Sequence, residues 1–223
     1  MFAVLFEIQP NPGKVDDYFN YVKRLRPKLE CIDGFVDNIR YRSLTRPGCV
    51  LSVSDWRDEK AVVRWRTFGA HHGVSAKGRK EIFADYHLRV GQVTADSHIP
   101  AGLRLEEQRL DTTEVGEGTA VTLVNPLAPV QDGELSDSAS ADIAKALGLD
   151  IGAVGLVSWD VFDAILSPGN PILLQTWRDN QAATGSATCQ IYGTRHRTIR
   201  IVRDYGMFDR RESPTYYPEV LRK

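Results

Sequence analysis

A chain of 223 residues with 42% apolar and 26% charged side chains has the composition of a globular protein that buries a core, and its length suits one large domain or two small ones. With 28 basic against 29 acidic residues the formal charge is −1, which excludes a global field drawing the chain to nucleic acid or to an anionic membrane. The expected partner is a small molecule or a protein.

The opening MFAVLFEIQPNPGK carries neither the basic segment nor the long apolar run of a signal peptide, and no stretch reaches the ~18 apolar residues of a membrane span. Cys31, Cys49 and Cys189 are odd in number and widely spaced, which matches neither a disulfide framework nor a set of metal ligands. Both features read as cytoplasmic. Phe2, Val4, Phe6 and Ile8 alternate with Ala3, Leu5, Glu7 and Gln9 as in a strand, which Asn11-Pro12-Gly13 stops. A helix follows, with Val15, Tyr18, Phe19, Val22, Leu25 and Leu29 at helical spacing and Pro27 expected to end or kink it near Arg26. Phe35 to Ser43 and Val50 to Trp56 flank Arg46-Pro47-Gly48 and predict an antiparallel hairpin. The next helix starts after Asp58, a potential N-cap, and carries Ala61, Val62, Trp65 and Phe68 as its stripe. Ile82, Ala84, Tyr86, Leu88 and Val90 then share one face of a closing strand. The order is β-α-β-β-α-β, the ferredoxin-like arrangement.

The pattern is then written again. Pro47-Gly48 returns as Pro168-Gly169 and Trp56-Arg57-Asp58 as Trp177-Arg178-Asp179, both at an offset of 121, while Asp85-Tyr86 returns as Asp204-Tyr205 at 119. Between these marks lie a strand from Thr119 to Val124, a helix near Asp137 to Leu147 ended by Gly148, a hairpin of Val154 to Phe162 with Ile172 to Trp177, and a strand from Thr198 to Tyr205. Three marks in one order argue for duplication. The expected fold is α+β: two tandem ferredoxin-like units, residues 1–95 and 117–223, joined by a linker over 94–116 in which Arg104 to Leu110 adds an edge strand. Each unit leaves one sheet face bare, so the faces should cover each other as an intrachain pseudo-dimer, between chains in a homo-oligomer, or both.

Trp56-Arg57-Asp58, the Trp65 to His72 helix and the run Arg79-x-x-x-Phe83-x-Asp85-Tyr86 resemble the antibiotic biosynthesis monooxygenase domain family, of dimeric α+β barrel architecture. The first unit resembles it clearly and the second in diverged form. The resemblance implies a cleft between helices and sheet. Some relatives oxidise polycyclic phenols or quinols there with molecular oxygen and neither metal nor flavin. Others bind or degrade haem, isomerise lactones, or have no established activity, and fold does not choose among them.

On an unbroken helix Trp65 and His72, seven residues apart, point the same way and His71 points elsewhere; Gly69 puts that continuity in question. Cofactor-free oxygenation of an aromatic or polyketide-like molecule needs a base and an apolar pocket, which makes His72 the expected base and Trp65 the expected wall. Core packing for Trp65 and a solvated helix end for the two histidines is the plainer alternative, under which the cleft is a non-catalytic binding or structural site. Haem ligation by His72 or His71 is a further one, although haem-degrading relatives space the tryptophan and histidine farther apart. On the closing strand Asp85, His87 and Arg89 share a face; Arg89 would neutralise an enolate or superoxide beside His87, or the three form a plain charge ladder. Tyr86 reads as structural, Lys77-Gly78-Arg79-Lys80 as solvated, and the tail with Met207, Phe208, Tyr216, Tyr217 and Pro218 as a docking segment. The offsets set Trp65 against Ser186, His87 against Gly206 and Arg89 against Phe208, so the site is expected in the first unit alone.

Overall fold

The computed structural model describes residues 1–186 and 191–221. Among the described residues eight antiparallel strands close into one barrel. In chain order they are β1 (Phe2–Pro10), β2 (Phe35–Ser43), β3 (Val50–Trp56), β4 (Phe83–Asp96), β5 (Ala120–Pro126), β6 (Leu156–Ala164), β7 (Pro171–Trp177) and β8 (Thr194–Gly206). Around the barrel the order is β1-β3-β2-β6-β7-β5-β8-β4. The halves are stitched by a long β4–β8 ladder and a short β2–β6 ladder from Tyr41 to Ser43. Two ferredoxin-like sheets thus cover each other within one chain. Alternation sends Leu5, Leu51, Leu123, Phe162, Leu174 and Ile201 into a filled barrel interior.

The helices lie outside. The first half carries α1 (Val15–Glu30), α2 (Glu59–Thr67), α3 (Gly69–Lys77) and a single π-helical turn over Gly78–Ile82, which takes up Ile82 before β4 begins. The second half carries a 3-10 turn and α4 (Ser140–Ala146), then α5 (Asn180–Ser186), which periodicity did not reveal. Pro27 does not end α1: one lost backbone bond in the last turns is outweighed by docking of Leu29 on the sheet. No strand forms over Arg104 to Leu110, because a closed barrel offers no edge to extend. Instead the Gln92 side chain accepts from the backbone N–H groups of Gln108 and Arg109, at 2.7 and 2.8 Å.

The repeated Trp-Arg-Asp motif is a structural corner. Trp56 and Trp177 are buried under the helices, Arg57 and Arg178 donate their backbone N–H to Gly34 and Gly155 at 2.8 Å, and Asp58 and Asp179 cap the following helices through Ala61 and Ala182 at 2.8 Å. Gly34 has φ +90° and an added Cβ would lie 2.7 Å from the Ala61 Cβ. Gly34→Ala is therefore expected to cost about 1–3 kcal/mol in a denaturant melt; an unchanged midpoint would contradict it.

The Asp-Tyr repeat, by contrast, is not a structural equivalence. Phe2 pairs with Trp56 and Gln92, and Ala120 with Trp177 and Arg200, so Gln92 corresponds to Arg200 and Arg89 to Arg197. The chain from Trp177 to Thr194 is shorter than that from Trp56 to Phe83, which breaks the constant offset. Arg89 has a counterpart after all.

Candidate active site

Between α1, α2, α3 and the outer face of β1 to β4 lies a cavity of about 220 Å³. Val4, Phe6, Leu25, Leu29, Phe83 and Leu88 give it an apolar body. Trp65 lines it, and so does His71. His72 does not. The reason is the joint: α2 stops at Thr67, Phe68 is extended at φ −65°, ψ 120°, and α3 starts afresh at Gly69, so the seven-residue alignment of Trp65 with His72 is lost. His71 instead brings its ring 4.5 Å from the Trp65 indole. His72 is exposed and stacks at 5.1 Å on Tyr217, whose hydroxyl lies 3.3 Å from its Nδ1.

His71 Nδ1 is buried without a hydrogen-bond partner. Burial pushes the imidazole down to about 4, against an opposing hydrogen bond to the Arg66 backbone and helped by the neighbouring His72. The ring is therefore neutral at physiological pH in an apolar cavity. Because the unfolded chain binds this proton more readily, stability should fall as pH drops from 6.5 toward 4. An NMR titration placing the His71 midpoint near 6.5 would refute that.

Other polar groups were not legible in the sequence. Asn38, 6% exposed, donates to Ser52 Oγ at 2.9 Å and to the Val53 carbonyl at 3.0 Å, leaving a buried, unpartnered Oδ1 at the cavity. Arg79 is not solvated but 4% exposed. Tyr86 faces the cavity, and the tail closes one side through Arg210, Thr215 and Tyr217, so the second half contributes to a site expected in the first alone.

His87 and Arg89 lie on the opposite face of β4, Arg89 buried inside the barrel and His87 half-exposed at its rim, and are not brought to the cavity. Arg89 donates to Glu7 at 2.5 Å and to Thr176 at 2.8 Å; His87 Nε2 lies 2.6 Å from Asp204 Oδ1. The counterpart Arg197 pairs with Asp55 at 2.8 Å. Asp85 is exposed, and its carboxylate accepts from the Tyr86 N–H of the same strand at 2.8 Å. Cys31 and Cys49 are free thiols; Cys189 and the Ser186 side chain lie outside the described residues. Among the described residues no group of three His, Cys, Asp or Glu is placed to hold a metal, and no helix is long and apolar enough to cross a membrane.

Residues 1–76 match the antibiotic biosynthesis monooxygenase family. Over 222 residues, 98% of this chain and 99% of the relative, the sequence is 46% identical to a jasmonate monooxygenase ABM of Pyricularia oryzae. This chain belongs to the antibiotic biosynthesis monooxygenase family. A solved aldoxime dehydratase superposes with a TM-score of 0.54 at 10% identity, covering 90% of this chain and 80% of that one, a likeness of fold alone. An anthrone oxidase-like protein covers 96% of each chain at 11% identity and a TM-score of 0.38.

Proposed function

We propose that the chain is a monooxygenase that binds an apolar ring compound, aromatic, polyketide-like or jasmonate-like, in the α1–α3 cavity and oxidises it with molecular oxygen without metal or flavin. The unit over 1–95 supplies the catalytic group, and the unit over 117–223 the covering sheet and the tail. The observation that carries this reading is the free Nδ1 of His71, buried beside Trp65 in the cavity. An acidic C–H or O–H of the substrate gives its proton to Nδ1. The electron-rich anion then reduces oxygen, the radical pair closes to a peroxide anion that takes the proton back from the imidazolium, and loss of water from the resulting CH–OOH carbon leaves a carbonyl. A CH2 group and O2 thus become C=O and H2O, with both electron pairs drawn from the substrate. The imidazolium, costly in isolation, is offset by the anion formed next to it.

Haem fits poorly. The cavity is smaller than the ~300–1,000 Å³ of drug-sized sites, the indole covers the His71 ring and Tyr217 covers that of His72. The test is oxygen uptake by chelator-treated protein given an anthrone or jasmonic acid, with the isotope of labelled O2 found in the product. No uptake with either, or uptake restored only by adding metal, flavin or haem, would refute the reading.

A further inference from the structure

Arg79 is a buried cation without an anion. Its Nη1 donates to the Tyr86 hydroxyl at 2.6 Å and to the Met207 carbonyl at 3.0 Å, both neutral groups. Its Nε and Nη2 are buried with no partner. A second guanidinium, that of Arg210, reaches the same Tyr86 hydroxyl at 2.6 Å, and among the described residues neither arginine forms a salt bridge. Both sit over the Tyr217 ring, at 5.6 and 5.4 Å. Desolvating one guanidinium without a counter-charge is costly, and setting two like charges on one hydroxyl adds repulsion. The other fully buried arginines are matched, Arg89 with Glu7 and Arg197 with Asp55. Arg79 and Arg210 both line the cavity.

The geometry points to a carboxylate site at the tail end of the cavity, built on the unpartnered N–H groups of Arg79 with Arg210, whose Nη groups are bonded to Tyr86 and the tail, adding its charge, so that the substrate is an apolar small-molecule carboxylic acid. This rests on the cavity being the substrate site. The two unpartnered N–H directions of Arg79 match the planar, two-oxygen shape of a carboxylate, and the apolar body leaves the rest of the ligand to pack on Trp65 and the aliphatic wall. The π-helical turn holds Arg79 in place. A Cβ at Gly78 would meet the Phe83 ring at 2.7 Å, so the turn can approach the sheet only with glycine there.

Jasmonic acid and its methyl ester share one body and differ in charge, and their affinities are read by calorimetry on the full-length protein. The native protein should prefer the acid by about tenfold or more, the scale of a hydrogen bond to a charged group. Arg79→Gln should bring acid and ester within about threefold, and Arg79→Lys should recover most of the preference. Equal binding of acid and ester by the native protein, or an undiminished preference in Arg79→Gln, overturns the site. If Arg79→Gln does not fold, Arg210→Gln on the tail must weaken the preference at least about threefold, or the site falls. Inorganic phosphate binding as tightly as the acid would make this an inorganic-anion site and end the substrate assignment. Acid preference without oxygen uptake would sink the oxygenase reading and leave this site standing; equal oxidation of acid and ester would do the reverse.

Discussion

Glu7→Gln is expected to lower the stability of the folded chain by about 3–5 kcal/mol at pH 7, the cost of stranding a buried charge. Glu7 Oε1 accepts from Arg89 at 2.5 Å and Oε2 from Arg46 at 2.6 Å, and Arg46 passes on to Asp160 at 2.7 Å. The Arg89 side chain is 3% exposed, so no water replaces the lost carboxylate. Burial alone would push the Glu7 carboxyl up; the guanidinium groups of Arg89 and Arg46 outweigh it and hold it below its ordinary 4.5. A depressed carboxylate gives stability that is full above the unfolded value and is lost as pH falls through the folded one. The gap between native and variant should therefore be complete at pH 7 and close as pH falls below 4.5. A gap under about 1 kcal/mol, or one that widens with acid, would show the network to be dispensable.

That network also explains what the sequence could not disclose. Strand alternation placed His87 and Arg89 on one face, and they are on one face; nothing in a single strand says that the face is the inside of a closed barrel. Closure depends on partners from β6, β7 and β8, which are far away in the chain. Strand patterns and turn residues also identified the hairpins, residue type the Asp58 cap, and repetition the Trp-Arg-Asp motif though not its corner, because each is fixed by residues within a few turns of one another. The histidines failed for a local reason. One extended residue, Phe68, turns α3 relative to α2, and a 100° per residue argument cannot cross it. Arg79 hid inside a basic run whose neighbours Lys77 and Lys80 are exposed, and only the tail residues Met207 and Arg210 reveal why it is buried.

The His71→Ala protein is expected to turn over about 10²–10⁴ times more slowly than the native one, the range lost with a positioned proton acceptor, while His72→Ala should stay within about threefold, the size of a modest packing change. The contrast decides between the two adjacent rings. His71 is held beside the indole with a free Nδ1, whereas His72 is exposed and stacked on a tail tyrosine. The pH profile adds a readout that misfolding would not mimic. With the imidazole held near 4, the free protein keeps its proton acceptor ready down to about pH 5, so kcat/KM should show no loss around 6.5, where an ordinary histidine would titrate. Activity lost in His72→Ala and kept in His71→Ala, with a midpoint near 6.5, would transfer the base to His72 and require Tyr217 to swing away from it before substrate enters.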